Sequence, residues 1–295
     1  MQKTWKWAKW AAAALVILGA LGMAAVLILH RLGTPVPVLM YHHFVEEGPV
    51  GADTVVSAQR FEEQLRALKE AGYTAITPQQ LVDYVERRSP LPDKPILLTI
   101  DDGYRSNLTI AAPLLEQYGM TATVFVIGIN VGEDCYVHSG LPLDPPRFSW
   151  EEARPWVEKG VITVQSHTYD MHQRADYGFS GRDGVLSLEQ EGKGEYRAAL
   201  AEDFAKAREG LRDGLGSELT ALSFPFGLNT DTAVEELEKL GVKVSFTTQY
   251  GVSRAVPGIS RSIQRMDRWW ISDDISGEEL TAGLETLCAW STTRI

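Results

Sequence analysis

One phrase recurs four times along this chain: an amphipathic helix, a glycine, then a β-branched apolar run. It reads LRALKEAG then YTAIT over residues 65–77, and LLEQYG then MTATVFVI over 114–127. It returns as WVEKG then VITVQS over 156–166, and as ELEKLG then VKVSFTT over 236–248. Gly72, Gly119, Gly160 and Gly241 each stand where a helix ends and a left-handed residue is favoured. The apolar runs that follow have strand length. Helix starts are marked as well. Thr77-Pro78-Gln79-Gln80 and Ser149-Trp150-Glu151-Glu152 both fit a capping box, the first with proline at N1. Further strands are predicted over 36–41, 96–100 and 221–224. Helices alternating with apolar strands require a parallel α/β sheet covered by helices, either barrel or doubly wound. No G-x-G-x-x-G follows any strand, so a dinucleotide-binding fold has no support. The regular repetition favours a barrel, with fewer than eight strands. Residues 129–148 and 173–196 break the rhythm and are rich in Gly, Pro and Asp. They predict long surface loops after strands, where such folds shape a substrate groove.

Residues 10–29 carry no charge. At about 1.5 Å per residue they would span roughly 30 Å as a helix, the thickness of bilayer hydrocarbon. The run exceeds the apolar core of about 7–15 residues in a secretory signal, and no small-x-small cleavage site follows. It predicts a transmembrane signal anchor over residues 10–30. Lys3, Lys6 and Lys9 flank one side and Arg31 the other, so residues 1–9 are expected in the cytoplasm and the domain 31–295 outside it. Trp5, Trp7 and Trp10 would form an interfacial belt. The net charge is −11, and no acidic residue precedes residue 34. A body this acidic excludes nucleic acid as a partner, because binding it needs clustered Lys and Arg. Two cysteines exclude a disulfide scaffold and a Cys-rich zinc site, and the separation of Cys135 and Cys288 says nothing about pairing.

The residues that carry chemistry collect at strand ends. The strand 96–100 runs straight into Asp101-Asp102-Gly103-Tyr104. Two adjacent carboxylates there need a cation or hydrogen-bond donors to receive them. The strand 161–165 ends in Ser166-His167-Thr168-Tyr169-Asp170-Met171-His172. Histidines five apart do not share a helix face, but they can converge from a loop. A third strand ends in Pro225-Phe226-Gly227, by itself only a turn. One carboxylate and two imidazoles make a catalytic divalent site with an open position for water, and the second carboxylate of the pair is then free to act as a base.

These two runs resemble the first and second signatures of the polysaccharide deacetylases, the NodB-type carbohydrate esterases, over roughly residues 36–270. The resemblance implies a distorted (β/α)₇ barrel of the NodB homology type. It implies Asp101 as general base and Asp102, His167 and His172 as ligands of one divalent metal, by family habit zinc. The implied reaction is metal-dependent hydrolytic N-deacetylation of N-acetylglucosamine units in a cell-surface or cell-wall polysaccharide, with release of acetate.

Two departures from the family pattern stand out. The third signature, Arg-x-Pro-Tyr in typical members, is Ser223-Phe224-Pro225-Phe226-Gly227 here, so the arginine that positions the base is missing; Arg261 and Arg265 are the replacements considered. No histidine follows His172, so the usual late general acid is missing too. A subgroup of surface poly-N-acetylglucosamine deacetylases shares that absence, together with a Tyr-His near the domain start and a Pro-Phe-Gly third motif. Residues 37–44, PVLMYHHF, fit that pattern and make His42 the candidate acid ahead of His43. Pro225, Phe226 and Tyr104 are the expected substrate-contacting residues, with a backbone N–H near Phe226 for the oxyanion. His138 is expected on the surface without a role. The competing readings are a peptidoglycan deacetylase, a catalytically weak carbohydrate-binding homologue, and a metal hydrolase of peptide or cyclic amide bonds. The product amine is cationic near neutral pH, and an acidic body favours such a product.

Overall fold

The computed structural model describes residues 10, 12–24, 33–47, 53–176 and 178–292. Strands β1 (Thr34–Val36), β2 (Val38–Tyr41), β3 (His43–Val45), β4 (Val55–Ser57), β5 (Thr74–Ala75) and β6 (Pro95–Asp102) come from the first third. They are followed by β7 (Ala122–Val126), β8 (Ile162–Ser166), β9 (Ala221–Ser223), β10 (Val244–Phe246), β11 (Ser253–Ala255) and β12 (Trp269–Trp270). The main sheet has the order β10-β9-β8-β7-β6-β2-β12, with β5 beside the start of β6, and every pair in it is parallel. This is the α/β architecture that the alternating pattern predicts. The sheet curves like a barrel, and its two edges are joined by one segment. Met266 donates its N–H to Ser245 and accepts from Thr247 beside β10, while Trp269 and Trp270 pair with Leu39 and Met40 of β2.

The period of two along the strands sorts the core into two layers. On β6, Ile96, Leu98 and Ile100 face the surrounding helices, whereas Leu97 belongs to the barrel interior. Thr99 and Asp101 share the parity of Leu97, and Asp101 is 1 % exposed. The interior holds an apolar cluster in which Leu97, Val38, Phe125, Val244 and Phe246 pack with Leu81, Val82 and Val85 of the helix Pro78–Arg87. Polar side chains line it as well, with the Thr123 and Thr163 hydroxyls 2.9 Å apart.

The local signals read from the sequence are present. Both capping boxes form, at Thr77/Gln80 and Ser149/Glu152. Gly72, Gly119, Gly160 and Gly241 all have positive φ. Several elements differ from expectation. The strand expected over 73–77 is only β5, two residues long. A π-helical turn, Asn107–Ala111, follows the Asp pair. The loop expected over 173–196 ends earlier, at the start of the helix Lys193–Leu215. Of the expected anchor, residues 10–30, Trp10 and residues 12–24 are helical, and residues 11 and 25–30 lie outside the described residues. Among the described residues no helix is long and apolar enough to cross a membrane.

Candidate active site

Strand parity alone would turn Asp101 and Asp102 to opposite faces. Asp101 does enter the barrel interior. Asp102 instead has φ +74°, a left-handed conformation that lets it leave the strand direction. Thr168 at +73° and Phe226 at +58° are held in the same region. A β-branched threonine there is a steric outlier, and each such residue costs on the order of 1–3 kcal/mol. The strained residues thus sit in the three chain segments that meet at this end of the sheet. Gly227 keeps the third segment close: a Cβ on it would collide with Thr248 Oγ1.

Asp102, His167 and His172 offer ligand atoms that all lie within 4.8 Å of one another. Asp102 Oδ1 is 3.7 Å from His167 Nε2 and 3.6 Å from His172 Nε2. That same Oδ1 is buried without a hydrogen-bond partner, a costly state unless a cation takes the lone pairs. His167 Nδ1 lies 2.8 Å from the Ser223 carbonyl, which can only accept. The proton therefore sits on Nδ1, and Nε2 presents its lone pair to the cluster. Burial lowers the pKa of His172 to about 4, so it too is a neutral donor at neutral pH. Two neutral imidazoles and one carboxylate suit a divalent cation.

Asp101 is held by Arg268. The guanidinium donates from Nη1 to Oδ1 at 2.9 Å and from Nη2 to Oδ2 at 2.7 Å. It is wholly buried, and it also donates to Thr99 Oγ1 and the Thr247 carbonyl. Ser223 Oγ adds a bond to Asp101 Oδ2 at 3.1 Å. Burial pushes the Asp101 carboxyl upward, but the Arg268 guanidinium outweighs it and holds the group well below the usual carboxylate range. This corrects the expectation for the missing arginine. Neither Arg261 nor Arg265 faces the base, and Arg265 pairs with Asp231. Arg268 had no local signal. It is one of four arginines between residues 254 and 268, and only closure of the sheet brings it to Asp101.

His42 and His43 part company at the end of β2. The His42 ring is near Trp270, with centroids 5.7 Å apart, and its Nδ1 is buried without a partner. Burial lowers its pKa, opposed by the charges of Asp102 and Asp101. His43 turns away, bonding Ser106 Oγ through Nδ1 at 2.9 Å and lying against Tyr104. The π-helical turn fixes this pair from below, with Asn107 Nδ2 donating to the His42 carbonyl. Tyr104 and Phe226 flank the cluster. Burial and the Asp102 charge raise the Tyr104 pKa, and the Phe226 ring lies 4.5 Å from that of His172. Pro225 is buried beneath Phe226. His138, expected to be idle, lies 2.7 Å from Asp170 Oδ2. Asp203, which no sequence signal marked, accepts the N–H groups of Tyr169 and Asp170, both at 2.8 Å. It thereby holds the loop between His167 and His172.

Solved structures with the same architecture are deacetylases. A de-N-acetylase from Aggregatibacter actinomycetemcomitans superposes with a TM-score of 0.72 at 22 % identity, over 84 % of this chain and 99 % of that one, a likeness of fold. IcaB from Ammonifex degensii gives 0.67 at 28 % identity, over 85 % and 97 %. Among curated proteins, a putative polysaccharide deacetylase of Bacillus subtilis is 25 % identical over 85 % of this chain and 76 % of its own length. The poly-β-1,6-N-acetyl-D-glucosamine N-deacetylase of Escherichia coli K12 is 26 % identical over 74 % of this chain, which spans 34 % of that protein. The family model described as polysaccharide deacetylase matches residues 88–245, more than half of the chain. The protein belongs to the polysaccharide deacetylase family, a family of hydrolytic enzymes. The matched residues include Asp101, Asp102, His167 and His172, but neither His42 nor Arg268.

Proposed function

We propose that the protein is a metal-dependent N-deacetylase of an N-acetylglucosamine polymer at the cell surface. The observation that carries this reading is the convergence of Asp102, His167 and His172 beside the buried Asp101–Arg268 pair. Asp102, His167 and His172 would hold one divalent ion, zinc by its preference for imidazole and carboxylate. Such an ion supplies Lewis-acid polarisation of water and of the acetamide carbonyl. Asp101, held as a carboxylate by Arg268, accepts the proton of the attacking water. A backbone N–H near Phe226 would receive the developing oxyanion. His42 gives its proton to the departing nitrogen, because an amide anion is too basic to leave. The C–N bond breaks, leaving acetate and a glucosamine unit. A poly-N-acetylglucosamine substrate is favoured over peptidoglycan by the activity named for the E. coli relative. The uncharged run over residues 10–29 would anchor the domain outside the membrane.

Acetate release from β-1,6-linked N-acetylglucosamine oligomers by the detergent-solubilised chain tests the reading, with bound metal measured alongside. His167→Ala is expected to lose both metal and turnover. Asp101→Asn is expected to keep the metal and lose about 10²-fold or more in kcat, the scale of general base catalysis. Metal loss in Asp101→Asn with retention in Asp102→Asn would reverse the two assignments. Release from peptidoglycan alone would replace the substrate.

A further inference from the structure

The Asp102–His172 pair occupies one end of a larger cavity. About 630 Å³ of space extends from Asp102, His172 and Tyr104 along Arg147 to Tyr136, His138 and Phe179. That volume lies in the range of sites that take drug-sized ligands and leaves room beyond a single reacting sugar. Its far wall comes from the two irregular loops, after β7 and β8. Phe179 is 75 % exposed there, with Leu141 and Val137 also exposed. Large apolar side chains clustered in the open, on loops beside a reaction centre, mark a binding surface.

The arrangement of this wall is specific. The Phe179 and His138 rings are parallel within 6°, with centroids 4.5 Å apart. His138 covers one face of Phe179, and the high exposure of Phe179 leaves the other open. His138 Nε2 lies 2.9 and 2.7 Å from the two Asp170 oxygens. Asp170 is fixed in turn by Gln173 Nε2, and by its own N–H to Asp203 on the helix Lys193–Leu215. The stacked pair is therefore held at a set place relative to His172, two residues beyond Asp170. A pyranose ring presents a flat patch of C–H groups on one face and hydroxyls around its rim. An open aromatic face bordered by Gln173 and Ser139 matches both parts.

We propose that Phe179, backed by His138, is a platform for a second sugar of the polymer, a neighbour of the unit being deacetylated. This subsite rests on the deacetylase reading and accounts for selection of a polymer over a free sugar. The test uses the solubilised full chain, Phe179→Ala, and Phe179→Tyr as the conservative variant. Substrates are the β-1,6-linked N-acetylglucosamine pentamer and an aryl acetate ester too small to reach the platform. Phe179→Ala is expected to raise KM for the pentamer about tenfold, the scale of one aromatic stacking contact. Its kcat, metal content and ester turnover should stay unchanged, and Phe179→Tyr should restore KM. An unaltered pentamer KM, or a parallel fall in ester turnover, overturns the platform. Calorimetric binding of the pentamer to both forms separates the two ideas. Absent turnover with binding that weakens in Phe179→Ala sinks the deacetylase reading and keeps the platform; binding indifferent to Phe179 sinks the platform.

Discussion

At the residue scale the site is organised by which neighbour each charged group faces. Asp101 and Asp102 are consecutive, yet one meets Arg268 and the other two imidazoles. Truncating one partner of a buried ion pair strands the other charge, which costs about 3–5 kcal/mol. Arg268→Met should therefore lower stability on that scale in chemical denaturation. Adding Asp101→Asn should recover a good part of the loss, because the stranded carboxylate is gone. A double variant no more stable than Arg268→Met would mean that Arg268 acts through its bonds to Thr99 and Thr247 instead. The histidine pair gives a second residue-level test. His42 feels the charges of Asp102 and Asp101, whereas His43 is tied to Ser106. His42→Ala should lose about 10²-fold or more in kcat with the metal retained, and His43→Ala should be mild. The reverse pattern in steady-state kinetics would make His43 the acid.

At the element scale, much of the fold could be read from terminators and periodicity. Gly119 and Gly241 end their helices in the left-handed region, and both capping boxes form, because these signals act over four residues. What was not legible depends on partners far along the chain. The helix Lys193–Leu215 repeats Tyr196, Leu200, Phe204, Ala207 and Leu211 on one buried face, but it opens at Gly192 and Gly194, which read as loop. Its Asp203 had no visible role, since its partners are backbone N–H groups 33 and 34 residues away. Burial raises the Asp203 pKa to about 6, above an unfolded value near 3.8. Between those values the folded state binds more protons, so this group's contribution is full below about pH 4 and is lost as pH rises through about 6. Asp203→Asn removes that dependence. The stability gap between wild type and Asp203→Asn should thus shrink by on the order of 1–3 kcal/mol from pH 4.5 to 7. A gap that widens over this range, in denaturant midpoints, would refute the assignment.

At the scale of the whole molecule, the repeating phrase led to a parallel α/β sheet, and the sheet is there. The way it joins was not readable, because the joining segment contributes only Trp269 and Trp270 to β12, too short a run for periodicity to flag. If residues 10–29 anchor the chain as proposed, protease added to intact cells should digest the domain and leave a short membrane-bound stub. A soluble, N-terminally trimmed protein in the medium would show cleavage instead. The joining segment also sets an order of events during synthesis. His42 and Asp101 emerge from the ribosome early, followed by His167 and His172, while Arg268 comes 167 residues after Asp101. Until residue 270 is out, Asp101 lacks its counter-charge and β2 has no partner on one side. In chain order, the site is thus complete only once the segment that carries Arg268 has docked.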